Sequence, residues 1–314
     1  MQRTKILICS SELGAGVRGA SLGPDAIRIS AVNNFYNIFE RLHVDEIKVP
    51  MLNRYSPENK SAKYIKLIAS THRKICKKMC AALTDGYSTL VLSGDHSNAA
   101  GFISGFREAY PDKKLGVIWI DAHGDIHSPF TSPSGNMHGM PVAILLGLDN
   151  LNHRTRKKIK ADVIKSWEKI KATGKLKITP KLSSDDLIYI GIRDLEEEEW
   201  NIIKEQNIKF YTPDDLKKPG IDKVIEEVVS HFTSYDAIYI SFDVDSMDPS
   251  VSVGTGTPVP GGLSLDQAKK LLKAFTNMPN CKALEITEVN PILDTDNKMA
   301  TAVVKILRES VVFS

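Results

Sequence analysis

The stretch WIDAHGDIHSP, residues 119–129, sets Asp121, His123, Asp125 and His127 at alternate positions directly behind the apolar run 115–120. Alternate side chains of an extended chain share one face, so the spacing predicts that at least Asp121, His123 and Asp125 project together from a strand end. A face of that kind buries nothing apolar; it offers ligands to a metal. Two more motifs of similar chemistry follow short apolar runs: SGDHS (93–97) behind YSTLVL, and SFDVDSMDP (241–249) behind AIYI. In an open parallel sheet the carboxyl ends of the strands meet in a crevice where ligands bind, so the three motifs can converge.

Convergence imposes a constraint. Asp121, Asp125, Asp243 and Asp245 would place four negative charges in one crevice, and each close pair costs on the order of several kcal/mol at an effective dielectric near 20. No basic cluster lies nearby in the sequence. Two divalent ions are the economical balance, with His96 and His123 as neutral imidazole ligands. A carboxylate-rich site without thiolates favours Mn²⁺ over a structural zinc. Two such ions roughly 3.5–4 Å apart can hold and deprotonate a bridging water. Asp95 and Asp248-Pro249 read more simply as a loop hydrogen-bonder and a turn.

The elements that must position these residues are legible as runs rich in Ile, Val and Tyr: KILIC (5–9), YSTLVLS (87–93), LGVIWID (115–121), DLIYIGI (186–192), AIYISFD (237–243) and ALEITEV (283–289). Helical periods lie between them. Residues 61–83 put Ile65, Ile68, Ile75, Met79 and Leu83 on one stripe, and Gly23-Pro24-Asp25 marks a helix start. Strands alternating with helices predict parallel strands covered on both faces, an α/β sandwich. No linker or repeat divides the chain, so one domain over 1–314 is expected. The strongly basic stretch 153–177 reads as a solvated helix and loop on the surface.

With 314 residues, 42% hydrophobic and 25% charged, the composition is that of a globular protein. A net charge of +3 gives no case for a nucleic-acid or membrane partner and leaves a small-molecule substrate as the expectation. The apolar positions after Met1 are too few for a signal-peptide core and no run approaches a membrane span, so a cytoplasmic protein is expected. Cys9, Cys76, Cys80 and Cys281 lack zinc-ribbon or disulfide spacing and read as buried thiols. The glycine-rich phosphate loop that phosphoryl transfer would call for is not in the sequence.

Taken together, the motifs resemble those of the ureohydrolases, the binuclear manganese enzymes that include arginase, agmatinase and formimidoylglutamase. SGDHS resembles the family's GGDHS, DAHGD its DAHxD, and SFDVDSMDP its SxDxDxxDP; the likeness runs from LGAGVRGASLGPDAIR (13–28) to ITEVNPILD (286–294). The resemblance implies a three-layer α/β/α sandwich with a mostly parallel sheet of about eight strands, assembled into trimers or hexamers. It implies two Mn²⁺ per subunit: His96 on one and His123 on the other, Asp121 and Asp243 bridging, and Asp125 and Asp245 completing the set.

Within that family, SPSGNMHGMPV (132–142) resembles the arginase branch. There the SGN segment, here Ser134 and Asn136, hydrogen-bonds the substrate α-carboxylate, and the following histidine, His138, shuttles protons, a task suited to a pKa near neutrality. Thr257 in GTGTPVPGGLS would line the pocket, and Glu288 in EITEVNP would pair with the substrate guanidinium. Asp194 and Glu199 match acids near the substrate α-amino group. Two positions depart from the branch: His127 replaces an asparagine, and Glu196 replaces an aspartate. The implied reaction is hydrolysis of L-arginine to L-ornithine and urea by a metal-bridging hydroxide, with Asp125 carrying the proton to the leaving amine. Agmatine, guanidinobutyrate or formimidoylglutamate as substrate, and a catalytically silent member, are the alternatives. The basic residues around 153–170 read as an insertion.

Overall fold

The computed structural model describes residues 3–50 and 57–310. Eight strands form one sheet: β1 (Arg3–Cys9), β2 (His43–Glu46), β3 (Tyr87–Ser93), β4 (Leu115–Ile120), β5 (Leu187–Ile190), β6 (Lys209–Tyr211), β7 (Ala237–Asp243) and β8 (Cys281–Thr287). Their order is β2-β1-β3-β8-β7-β4-β5-β6, and every neighbouring pair is parallel.

Period two in the apolar runs explains how one sheet is buried on both sides. Ile6, Ile8, Leu90, Leu92, Ile118, Ile120, Ile238 and Ile240 face one layer, packed by helices Gly23–Asn33, Ile221–Phe232, Leu265–Thr276 and Lys298–Ser310. Leu7, Cys9, Val91, Val117, Trp119, Tyr189 and Tyr239 face the other, packed by helices Ile65–Thr84, Ala99–Ala109, Pro141–Leu146, Ala161–Lys171 and Glu197–Glu205. The result is the three-layer α/β/α sandwich expected. Ile65, Ile68, Ile75, Met79 and Leu83 are all buried on the expected stripe, and Pro24 opens its helix as expected.

The strand order positions the site. β3, β8, β7, β4 and β5 are consecutive neighbours about 4.8 Å apart, so the chain leaving their carboxyl ends is gathered along one rim. Residues 94–97, 288, 243–245, 121–127 and 191–199 all emerge there. Ureohydrolase-like motifs far apart in sequence are thus brought within reach of a single ligand.

Several expectations need correction. β2 and β6 carry no apolar run of strand length; four and three residues long, they are edge strands whose pairing is set by their neighbours. Cys80 is half-exposed rather than buried. The basic stretch is not only surface: within helix Ala161–Lys171, Val163, Trp167 and Ile170 enter the core while Lys165 and Lys169 face outward, and buried Lys171 pairs with Asp149 at 2.6 Å. Trp167 Nε1 donates to the same Asp149 carboxylate at 2.8 Å. Truncating this fully buried ring leaves a large cavity, so Trp167→Ala lowers unfolding stability by about 3–5 kcal/mol in urea denaturation; an unchanged midpoint would mean the segment is not part of the core.

Candidate metal centre and active site

β3 ends at Ser93, and the Asp95 carboxylate accepts from Ser97 N (2.8 Å) and Gly14 N (2.9 Å), capping the short turn His96–Asn98. Asp95 is thus the loop hydrogen-bonder expected, and its cap sets the direction of His96. Asp248 likewise holds its turn, accepting from Ser250, Gly261 and Gly262 N.

His96 is 1% exposed and sandwiched from one side by Trp119, with ring centroids 4.1 Å apart and planes inclined by 13°. Its Nε2 lies 2.8 Å from Ser241 Oγ, whose hydroxyl donates onward to Glu285 Oε2 at 3.1 Å, while Tyr239 OH donates to that same oxygen at 2.8 Å. Since the serine proton goes to Glu285, His96 must carry its own proton on Nε2. Nδ1 therefore presents a lone pair, and it presents it to three carboxylate oxygens: Asp121 at 3.0 Å and Asp125 and Asp243 at 3.1 Å. None of these contacts has hydrogen-bond geometry, and Nδ1 has no other partner. A lone pair facing three acceptors is satisfied only by a cation.

His123 repeats the arrangement. Its Nδ1 is 3.1 Å from Asp245 Oδ2 and 3.5 Å from Asp121 Oδ1. Two groups, His96 with Asp121 and Asp125, and His123 with Asp121 and Asp245, each bring one oxygen or nitrogen per residue within 4.8 Å of the others. Asp121 is common to both. Its Oδ2 accepts from Trp119 Nε1 (2.9 Å) and its Oδ1 from His123 N (2.8 Å), which fixes the carboxylate between the histidines. The contacts place Asp243 with His96; its Oδ1 accepts from Asp245 N at 2.8 Å.

The alternation that suggested a strand face has another origin. β4 stops at Ile120 and β7 at Asp243, and the ligand segments beyond them are loop and short turn. Asp125 takes φ of 50°, a left-handed conformation that turns its carboxylate back toward His96. Arg193, which sequence reasoning passed over, holds the loops together: its guanidinium donates to the carbonyls of Asp245 (2.9 Å), Ser246 (3.2 Å) and Val259 (2.7 Å).

Burial and mutual repulsion oppose ionisation of Asp125, Asp243 and Asp245, whereas His123 and His96 hold the Asp121 carboxyl well below the usual carboxylate range. Burial first, then Asp121, pushes Asp125 up to about 6; burial and the charges of Asp245 and Asp121 raise Asp243, and burial raises Asp245. A donor set of carboxylates and imidazoles without thiolate, with its histidine tautomer fixed, fits hard or borderline divalent ions.

A cleft of about 350 Å³ opens over the cluster. His123, Asp125, Asp243, Asp245 and Thr257 line it, together with Ser134, Asn136, His127, His138, Asp194, Glu196 and Glu199. Thr257 Oγ1 also donates to Asp245 Oδ2 at 3.0 Å. Ser134 Oγ accepts from Asn136 N at 3.1 Å, which leaves its hydroxyl proton for another acceptor. His127 Nε2 lies 2.7 Å from Glu196 Oε2 and 3.8 Å from Glu199 Oε2. Burial raises the Glu199 carboxyl to about 8; Glu196, hydrogen-bonded to His127, is held down at about 2.

Glu288 sits beneath the cleft rather than on its wall. Left-handed at φ 64°, it accepts through Oε1 from His96 N (2.9 Å) and pairs with His138 Nδ1 (3.1 Å). Burial pulls the His138 imidazolium down, but the Glu288 carboxylate outweighs it and pushes the pKa up to about 9, well above the near-neutral value expected.

An open parallel sheet carrying a carboxylate–imidazole cluster at its strand ends, beneath a polar cleft, defines an α/β enzyme built for metal-assisted chemistry. The particular family follows from comparison. The sequence model of the Arginase family matches residues 5–312, and the chain belongs to that family and to its hydrolases of linear amidines. It is 33% identical to an arginase of Bacillus caldovelox over 314 residues, 98% of this chain and 97% of that one. Among solved structures it resembles the arginase of Entamoeba histolytica in complex with L-ornithine, at 27% identity and a TM-score of 0.83, covering 99% of both chains. The formimidoylglutamase of Bacillus subtilis shares the fold at 22% identity and a TM-score of 0.75, over 99% of this chain and 86% of that one.

A divalent cation that relieves the acid cluster stabilises the folded state by mass action. Adding Mn²⁺ to chelator-stripped protein raises the melting temperature by several degrees at pH 8. Asp243→Ala removes that shift, and so does lowering the pH through about 6, because protonated carboxyls release the ion. An equal shift in Asp243→Ala would place the cation elsewhere.

Proposed function

We propose that the protein hydrolyses the guanidinium group of L-arginine to L-ornithine and urea with two Mn²⁺ per subunit. The observation that carries this reading is that one cleft is lined both by buried members of the acid–imidazole cluster and by the more exposed donors Ser134 and Asn136. Arginine carries a guanidinium for the one and an α-carboxylate for the other. His96, Asp121, Asp125, Asp243, His123 and Asp245 would hold the metal pair, which when bound would supply Lewis-acid polarisation and a water of lowered pKa.

The chain's own groups do the rest. Ser134 and Asn136 donate hydrogen bonds to the α-carboxylate, and Asp194 and Glu199 face the α-amino group. Glu288 supplies negative charge beneath the guanidinium and holds His138. Asp125, buried and beside the His96 end of the cluster, carries a proton from the attacking water to the departing amine. His138, half-buried and linked to Glu288, exchanges the surplus proton with solvent. Thr257 keeps Asp245 oriented.

A second substrate reading, another guanidine or amidine such as agmatine, guanidinobutyrate or formimidoylglutamate, is favoured by one observation. His127 and Glu196, the two positions that depart from the arginase branch, are engaged with each other at 2.7 Å.

We further propose one domain spanning the chain and a cytoplasmic homotrimer or homohexamer. Ile29, Val32 and Phe35, 58%, 69% and 96% exposed and three residues apart in sequence, support a subunit contact. Among the described residues no helix is long and apolar enough to cross a membrane.

Urea release by Mn²⁺-loaded protein from L-arginine and agmatine, with a chelated control, tests the reading. Arginine-selective, chelator-sensitive release supports it; agmatine-selective release transfers the function to the second reading, and urea from neither points to another guanidine or amidine or to a silent member. Ser134→Ala raises KM for arginine about tenfold, the loss of one hydrogen bond to a charged group. His138→Ala lowers kcat with bound metal unchanged, read by metal analysis alongside steady-state kinetics.

A further inference from the structure

Asn136 lines the cleft, but an amide side chain is useful to a carboxylate only if its nitrogen end faces it. Its oxygen end repels. The structure shows what decides between them: Lys63 Nζ donates to Asn136 Oδ1 at 2.7 Å from a half-buried position. An ammonium has three donors and no lone pair, so only the amide oxygen can face it. Nδ2, with both its N–H groups, is turned the other way.

The two segments are interlocked so that this contact is held. Lys63 N donates to Gly135 O at 2.8 Å. Gly135 has φ of +70°, and a Cβ there would lie 1.9 Å from the Lys60 carbonyl oxygen, so no side chain fits between the loops. On the far side of the amide, a Cβ on Gly16 would lie 2.7 Å from Asn136 Nδ2, so only a glycine leaves room for the nitrogen end there. Lys63 itself is behind Asn136, outside the residues that line the cleft.

From this geometry we infer that Lys63 is a positioning residue that fixes Asn136 nitrogen-end inward and thereby selects substrates carrying an α-carboxylate. The inference rests on the arginine reading above. Its charge also polarises the amide it holds, making Nδ2–H a stronger donor toward an anion. Ligands without a carboxylate gain nothing from either effect.

The test compares Mn²⁺-loaded wild type, Lys63→Met and Lys63→Arg by calorimetric titration with L-ornithine and with putrescine, the same chain without the carboxylate. Lys63→Met weakens ornithine about tenfold and leaves putrescine unchanged; Lys63→Arg, still an obligate donor, restores ornithine affinity to within about threefold. Equal weakening of both ligands, or ornithine affinity equal to wild type in Lys63→Met, overturns the inference. Wild type that releases no urea from arginine and binds ornithine no better than putrescine removes the underlying reading, and the inference with it; wild type that does both leaves the variants to decide on Lys63 alone.

Discussion

Repulsion among four buried aspartates is the interaction on which the rest of the molecule depends. Asp121, Asp125, Asp243 and Asp245 are each 8% exposed or less, and three of them direct an oxygen at the same imidazole nitrogen. Among the described residues, His96 and His123 are the imidazoles set against them, and the acids draw both toward the charged form. The fold accepts this cost at the one place where an open parallel sheet exposes strand ends from several βα units to a common ligand. Stability elsewhere comes from two apolar layers of Ile, Leu and Val that alternate along every central strand.

Orientation of the cluster is delegated to neighbours that hold the ligand residues without being ligands themselves. Tyr239 and Ser241 project from β7 and Glu285 from β8, and together they set the His96 tautomer. Trp119, from β4, both stacks on His96 and donates to Asp121. These groups are anchored in rigid strands, whereas the metal-facing residues lie on the loops just beyond. A loop can turn Asp125 and Glu288 into left-handed backbone; a strand cannot.

Much of this was legible in sequence, for identifiable reasons. The central strands announce themselves because burial on both faces demands continuous apolar runs, and the acid–histidine motifs stand out because nothing apolar explains them. The reading erred where local pattern and geometry part company. Asp121, His123 and Asp125 alternate like a strand face but sit on a loop, so their convergence depends on caps and a positive φ rather than on pleat. β2 and β6 are too short and polar to carry a pattern of their own. Trp119, Ser241 and Glu285 each had a signal, a polar group inside a core strand one or two residues from a ligand motif. Lys63 had none: its partner is 73 residues away and its contact follows from tertiary structure alone.

Metal stoichiometry addresses the central claim most directly. Chelator-stripped protein equilibrated by dialysis against Mn²⁺ at pH 8 and analysed by atomic absorption binds two ions per chain if the acid cluster is built to be neutralised as described. One ion or none, with the protein folded, would contradict it.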